Sequence, residues 1–314
     1  MIKIAAGIRR YAWSYLFVLP MFLLFLAFTL YPLVASVQYT FYEWDGIGQP
    51  SDFVGLKHYI SIATDPLFWN AFGNTFFYTL VSVPIQLLLA LGLAVIFDLP
   101  WLRGRAIFRY TFISPIVTSS AVIGIVFTLI YNSLGQHFNR LLVQLGLVER
   151  PLDWLGNPQI AMWLIVLVGI WVGLGYPLIY FQAGLQSINR ELYDAAQVDG
   201  AGPFARFLYI TIPLIRPVGM VVLLITVLHS LRVFDIVQVM TQGGPFFATD
   251  VVGTYIYRMA FFVQPSGDVS SRMGYASAAA FFMGVLVMGI SLLQIVAVRR
   301  IRRPPEGSAR SALD

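Results

Sequence analysis

Six stretches of the chain are long and apolar enough to cross a bilayer, and the polar residues gather between them. A hydrocarbon core about 30 Å thick takes roughly 20 mainly apolar residues per helix. By that measure the predicted spans are Ala12–Val37, Phe72–Phe97, Ala106–Tyr131, Ile160–Phe181, Pro213–Asp235 and Ala276–Val298. Pro20 and Pro32 in the first span and Pro177 in the fourth predict kinks, because proline lacks an amide hydrogen and crowds the carbonyl four residues back. The first apolar run is longer than the roughly 7–15-residue core of a secretory signal and reads as a retained helix. Between spans four and five the chain is too charged to insert. There Ile188, Leu192 and Ala195/Ala196 recur at helical spacing, Gly200-Ala201-Gly202 ends that helix, and Pro203 suits the first turn of another. Phe204, Phe207/Leu208 and Thr211 mark one face of the second helix, so residues 187–212 predict two short helices around a tight turn.

Composition agrees with the pattern. Hydrophobic residues make up 58% of the 314 and charged residues 11%, against roughly 45–50% and about 25% in soluble domains. With a mean hydropathy of +0.77, this is an integral membrane protein, and water-soluble enzyme classes are excluded. The absence of cysteine removes disulfides, thiolate metal sites and cysteine nucleophiles. His58, His137 and His229 are too dispersed for a histidine-rich metal site. No phosphate-binding loop, HExxH pair or nucleophile elbow occurs, so any energy from ATP must come from another subunit.

The net charge of +5 reports topology rather than nucleic acid. Of the 20 Lys and Arg, 14 fall on or beside the N-terminal tail, the second and fourth loops and the C-terminal tail. Five (Lys57, Arg140, Arg150, Arg258, Arg272) fall in the alternate loops, and Arg232 falls within span five. With an even number of spans, this bias predicts both termini in the cytoplasm. The run Arg299, Arg300, Arg302 and Arg303 reads as a stop-transfer anchor with anionic lipid contact as a further role.

The 187–212 segment carries a specific resemblance. Asp194-Ala195-Ala196, Gly200, Ile210, Ile212 and Pro213 match the spacing of the EAA loop of ABC-importer permeases, with Asp in place of Glu and Ile in place of Leu. The shorter carboxylate changes the reach of the family's contact with a basic group of the ATPase, not its sign. Phe53-Val54-Gly55-Leu56, Tyr59, Asp65-Pro66, Phe68-Trp69 and Asn74-Thr75 resemble the first outer loop of carbohydrate-importer permeases of the maltose and glycerol-phosphate type. Gly175-Tyr176-Pro177 and Thr241-Gln242-Gly243-Gly244-Pro245 match the same subfamily, and Asp199 to Phe204 and Tyr257 to Phe261 are most like the larger membrane subunit of maltose importers.

The resemblance implies an all-α, six-span type I importer permease that works by alternating access. Residues 1–314 would form one permease domain, with a 72–298 transmembrane core, a 187–212 coupling loop and a 299–314 basic tail. Glu191, Asp194, Ala195, Ala196, Asp199 and Gly200 would meet the ATPase. The implied partners are a second, related permease, two copies of an ABC ATPase that bind the ATP and Mg, an extracytoplasmic solute-binding protein, and membrane lipids. The chain itself would be no enzyme and hold no cofactor or metal. Loops around 46–70 and 243–269 would face the binding protein.

Polar groups within spans are costly and therefore informative. The resemblance maps substrate contacts onto Trp171, Leu174, Gly175 and Leu178 in span four and Thr226, His229, Ser230 and Val233 in span five. An aromatic ring with nearby hydroxyl and imidazole groups suits a sugar, while small and hydroxylated residues equally serve helix packing. Arg232 and Asp235, three apart on one predicted helix, are expected to pair within the membrane, and Arg232 left unpaired would attract an anionic solute. Thr118-Ser119-Ser120 reads as packing. A di- or oligosaccharide heads the candidate solutes, followed by a polyol, a uronate or glycerol phosphate. His229 as a proton relay motivates the alternative of a proton-coupled secondary transporter, and an inert assembly subunit is a third class.

Overall fold

The computed structural model describes residues 12–50, 52–99, 102–261 and 271–302. The N-terminal tail, residues 262–270 and residues 303–314 of the basic tail lie outside the described residues. Among the described residues, six helical stretches are long and apolar enough to cross a membrane: Trp13–Tyr39, Pro66–Asp98, Ser120–Gln144, Ala161–Gln186, Pro203–Met240 and Met273–Val296. The chain groups into two compact units, one of residues up to 64 with 256–284, the other of 65–255 with 285 onward.

In the first unit, α1 (Ala12–Phe25) passes through a π turn (Leu26–Leu30) into α2 (Tyr31–Tyr39). The turn closes where the Tyr31 amide donates to the Leu26 carbonyl, one residue before Pro32. Proline crowds the carbonyl four residues back, and widening the helix by one residue accommodates it. A short antiparallel hairpin, β1 (Tyr42–Glu43) with β2 (Asp52–Phe53), leads to α3 (Lys57–Thr64). Buried His58 is hydrogen-bonded through Nε2 to the Tyr42 carbonyl at 3.1 Å, which makes it a structural group of this segment.

The second unit holds α4 (Pro66–Asp98), α5 (Arg105–Val117), α6 (Ser120–Gln144), α7 (Ala161–Gly173) and α8 (Gly175–Gln186). It continues through α9 (Arg190–Val198), α10 (Pro203–Arg206), α11 (Ile212–Ser230) and α12 (Asp235–Met240). Helices α13 (Val252–Phe261) and α14 (Met273–Arg302) each contribute to both units. Helix α4 is the hub of the second unit and packs on α7, α8 and α11.

Two spans differ from the expected ones. The third runs from Ser120, because the helix predicted over 106–131 breaks at Thr118 and Ser119, both extended, and α5 stands apart. Thr118 therefore ends a helix rather than packing inside one: its Oγ1 donates back to the Ser114 carbonyl. The fifth begins early. A π turn over Phe207–Thr211 joins α10 to α11, so the second half of the 187–212 segment is continuous with the membrane span. Here too the turn closes one residue before a proline: Ile212 donates to the Phe207 carbonyl, and Pro213 follows. The expected kink in span four falls at Leu174, between α7 and α8, where Pro177 has no hydrogen to give the Gly173 carbonyl.

Candidate functional site

Two apolar clusters fill the second unit. One gathers Tyr78, Ile165, Val166, Val168, Ile236 and Val237 with their neighbours. The other gathers Ala90, Ala94, Leu174, Leu178, Phe181 and Val222 with theirs. Along α4, along α7–α8 and along α11–α12, the chain passes from one cluster to the other, and at each crossing it carries polar or backbone-exposing residues. These line a cavity of about 320 Å³. Helix α4 contributes Tyr78 and Gln86, α7 contributes Gly169, Val172 and Gly173, and the 229–236 segment contributes His229, Ser230, Arg232, Val233 and Asp235. Ser120 joins from the start of α6.

The glycines let α4 and α7 approach closely. A Cβ on Gly169 would overlap the Tyr78 hydroxyl, and one on Gly173 would lie 2.5 Å from Gln86 Nε2. Small residues four apart are a familiar device for close packing of membrane helices. In this contact Gln86 Nε2 donates to the Gly169 carbonyl at 3.1 Å. Ser230 is 5% exposed, and its Oγ has no hydrogen-bond partner among the described residues. A hydroxyl desolvated in this way favours a ligand able to bond it.

The structure brings together His229, Ser230, Val233, Arg232 and Asp235 from the expected set. It does not bring in the span-four residues. Leu174 and Leu178 are core side chains, and Gly175 is buried against Ile116 of α5. Trp171 lies off the cavity with its ring 5.5 Å from that of Phe127. Buried Thr226 spends its hydroxyl on the Val222 carbonyl at 2.8 Å.

The expected Arg232–Asp235 ion pair does not form within 4 Å. The expectation assumed one continuous helix. Helix α11 instead ends at Ser230 and α12 begins at Asp235, so the two side chains leave from different elements. Gln86, Gly169 and Gly173 were missed in the sequence, yet their signals were present: a lone amide in a leucine-rich run, and glycines four apart in an apolar helix.

The 187–212 segment forms an elbow. Asn189 caps α9, accepting from the Glu191 amide at 3.1 Å while its Nδ2 donates to the Glu191 carboxylate at 3.0 Å. Gly200, at φ +82°, closes the helix: its amide donates to the Gln197 carbonyl and the Ala201 amide to the Ala196 carbonyl. This is the left-handed C-terminal cap that glycine adopts without penalty. Arg206 then donates to the Gln197 side chain at 3.0 Å, and the Tyr193 and Thr211 hydroxyls lie 2.9 Å apart, which fixes the angle of the elbow. Glu191, Asp194, Ala195, Asp199 and Gly200 are exposed and Ala196 is half-buried. Val198 and Phe204 are 88% and 75% exposed.

A third feature joins distant parts of the sequence. The loop after α12 turns through the cis Gly244–Pro245 bond, and buried Asp250 accepts from Thr254 Oγ1 at 2.7 Å. Asn74 Nδ2 donates to the Asp250 carbonyl at 2.9 Å and Asn70 Nδ2 to the Phe247 carbonyl at 2.8 Å. The Thr75 hydroxyl accepts from the Val252 amide at 3.0 Å.

Residues 67–303 match the family described as the inner membrane component of binding-protein-dependent transport systems. The chain belongs to this family. This inner membrane component is 33% identical over 288 residues to the lactose transport system permease protein of Rhizobium radiobacter, covering 91% of this chain and 94% of that one. It is 33% identical over 290 residues to the trehalose/maltose transport system permease protein of Thermococcus litoralis, covering 92% and 94%. Among solved structures it matches a bacterial alginate ABC transporter in complex with an alginate pentasaccharide-bound periplasmic protein. That match has a TM-score of 0.77 and 27% identity, over 95% of this chain and 98% of that chain. The protein is thus an all-α, multi-pass membrane protein with the fold of an ABC importer permease.

Proposed function

We propose that the chain is the permease subunit of an ATP-driven, binding-protein-dependent importer of a neutral di- or oligosaccharide. The observation that carries this reading is the polar cavity between two apolar clusters, with the unpartnered Ser230 hydroxyl, His229 and Gln86 along it. Sugars offer many hydroxyls to such groups and an apolar face to Val172 and Val233. Arg232 makes no close ion pair with Asp235, but both line the cavity, so its formal charge sums to zero and Arg232 does not make it a net cation. That balance supports a neutral solute over a uronate or glycerol phosphate, which would call for a net cation.

The elbow is the seat of coupling. Its exposed carboxylates Glu191, Asp194 and Asp199 beside exposed Val198 and Phe204 suit docking to an ABC ATPase. ATP-driven closure of two ATPase copies would move the elbow and, through the continuous α10–α11 helix, the residues at 229–235. Alternation of the cavity between the two sides then follows as a shift between two states. A second, related permease completes the path, and an extracytoplasmic binding protein delivers the solute, as the alginate complex supports by analogy. The charge bias supports cytoplasmic termini and an elbow on the same side.

The test is ATP hydrolysis and solute uptake by the complex reconstituted in proteoliposomes. Neutral oligosaccharides presented with the binding protein should stimulate both. Stimulation by anionic solutes alone would overturn the neutral-sugar assignment. Uptake that persists without ATP and collapses with the proton gradient would overturn the importer itself.

A further inference from the structure

At the elbow end of the second unit, three arginines converge on a separate cavity of about 270 Å³. Asp98 lines it from the last residue of α4, Arg105 and Arg109 from the first turns of α5, Gln186 from the last residue of α8, and Arg190 from the first residue of α9. Arg105 and Arg109 are four apart and so lie on one helix face. Three cations and one carboxylate leave the cavity with an excess of positive charge. Asp98 does not neutralise any of them at close range: among the described residues no carboxylate lies within 4 Å of these guanidinium groups. Arg109 Nε is buried and without a hydrogen-bond partner among the described residues. The start of α5 adds donors of its own, since Gly104 offers no side-chain cap.

The setting points to the source of the anion. The cavity opens where two helical stretches long and apolar enough to cross a bilayer, ending in α4 and α8, come to their ends, where headgroups would lie. On α5, beside the arginines, Ile107, Phe108 and Tyr110 are 71%, 50% and 72% exposed. An apolar flank next to a cationic pocket matches a molecule with acyl chains and a charged head.

We propose that Arg105, Arg109 and Arg190 hold the phosphate of an anionic phospholipid headgroup. Guanidinium groups suit phosphate because each offers paired, charged donors in a fixed fork. The bound lipid would brace the first residue of the elbow helix against the ends of α4 and α5, so that lipid composition sets how firmly the elbow is held. This assignment stands apart from the solute and from the coupling role, and its test needs neither.

The full-length chain, purified in detergent, is titrated with phosphatidylglycerol and separately with phosphatidylcholine and followed by native mass spectrometry. Phosphatidylglycerol should be retained in preference to phosphatidylcholine. The R105Q/R109Q variant should weaken that retention on the order of tenfold or more. R105K/R109K, which keeps the charge but loses the fork, should fall between the two, and R216Q, on α11 outside the cavity, should match the parent protein. Arg190→Gln gives a reading that leaves α5 untouched and should also weaken retention. Equal retention of both lipids, or undiminished phosphatidylglycerol on both R105Q/R109Q and Arg190→Gln, overturns the site. Displacement of the lipid by millimolar inorganic phosphate overturns the lipid as the source and leaves a soluble phosphate as the ligand.

Discussion

Gln86 donates its amide hydrogen to the carbonyl of Gly169, 83 residues later in the chain, at 3.1 Å, and this contact forms one wall of the polar cavity. Helices α4 and α7 come this close because Gly169 and Gly173 present no side chains to each other's partner. Gln86→Leu keeps the volume and removes the donor. The Gly169 carbonyl keeps its helical partner within α7, so the loss is one net hydrogen bond, about 0.5–1.5 kcal/mol, and the unfolding midpoint in detergent should drop modestly. Solute uptake by the complex should fall further than that drop explains, because the cavity also loses an amide. Uptake at the parent level would remove Gln86 from the path.

Ser230→Ala separates binding from stability. The hydroxyl is buried and has no partner among the described residues, so its removal should leave the unfolding midpoint unchanged or slightly raised. If the hydroxyl bonds the solute, KM for uptake should rise roughly two- to tenfold, the equivalent of one net hydrogen bond. A lowered midpoint with KM unchanged would assign Ser230 to packing instead.

At Gly200 the constraint is backbone conformation alone. Nothing lies within 4 Å of a Cβ built there, but φ is +82°. Gly200→Val should destabilise the turn by about 1–2 kcal/mol and lower solute-stimulated ATP hydrolysis. Gly200→Asn, which tolerates the left-handed region, should keep most of it. Equal loss in both variants would show that the space beside Gly200, rather than its conformation, is what the partner requires.

Asn74→Ala removes the donor that holds the Asp250 and Phe247 carbonyls, 2.9 and 3.3 Å away. The Phe247 carbonyl keeps Asn70 as a donor, so the main loss is the bond to the Asp250 carbonyl, about 0.5–1.5 kcal/mol net, and limited proteolysis should cut the 243–250 loop sooner. Stimulation of ATP hydrolysis by the loaded binding protein should weaken, since this loop is expected to face it. Unchanged proteolysis would mean that Asn70 and the buried Asp250–Thr254 bond hold the loop without Asn74.

The elbow was legible in the sequence because its signals are local. Asn189 at a cap, Gly200 at a left-handed stop and Pro203 at a helix start each act within a few residues. Span number was legible for a similar reason: bilayer thickness sets one length, and six apolar runs satisfy it. The family was readable from motif spacing, and Asn74-Thr75 and the Gly243–Val252 stretch prove to be halves of one hydrogen-bonded structure.

What the sequence by itself determined was the membrane class, the span count, the elbow and the family. Only the tertiary structure decided which polar side chains share a cavity. The i to i+3 spacing of Arg232 and Asp235 predicts a pair only on an unbroken helix, and the break at 231–234 removes that geometry. Trp171 is next to the lining residue Val172 in sequence, yet its ring turns to Phe127, and Leu178 beyond the α7–α8 break is buried in the core. Gln86 reaches Gly169 because two glycines let their helices close, and the three arginines meet because four helix ends do. Local chemistry fixes where helices start and stop, but facing is a property of pairs of helices, set by rotation and packing that no single segment encodes.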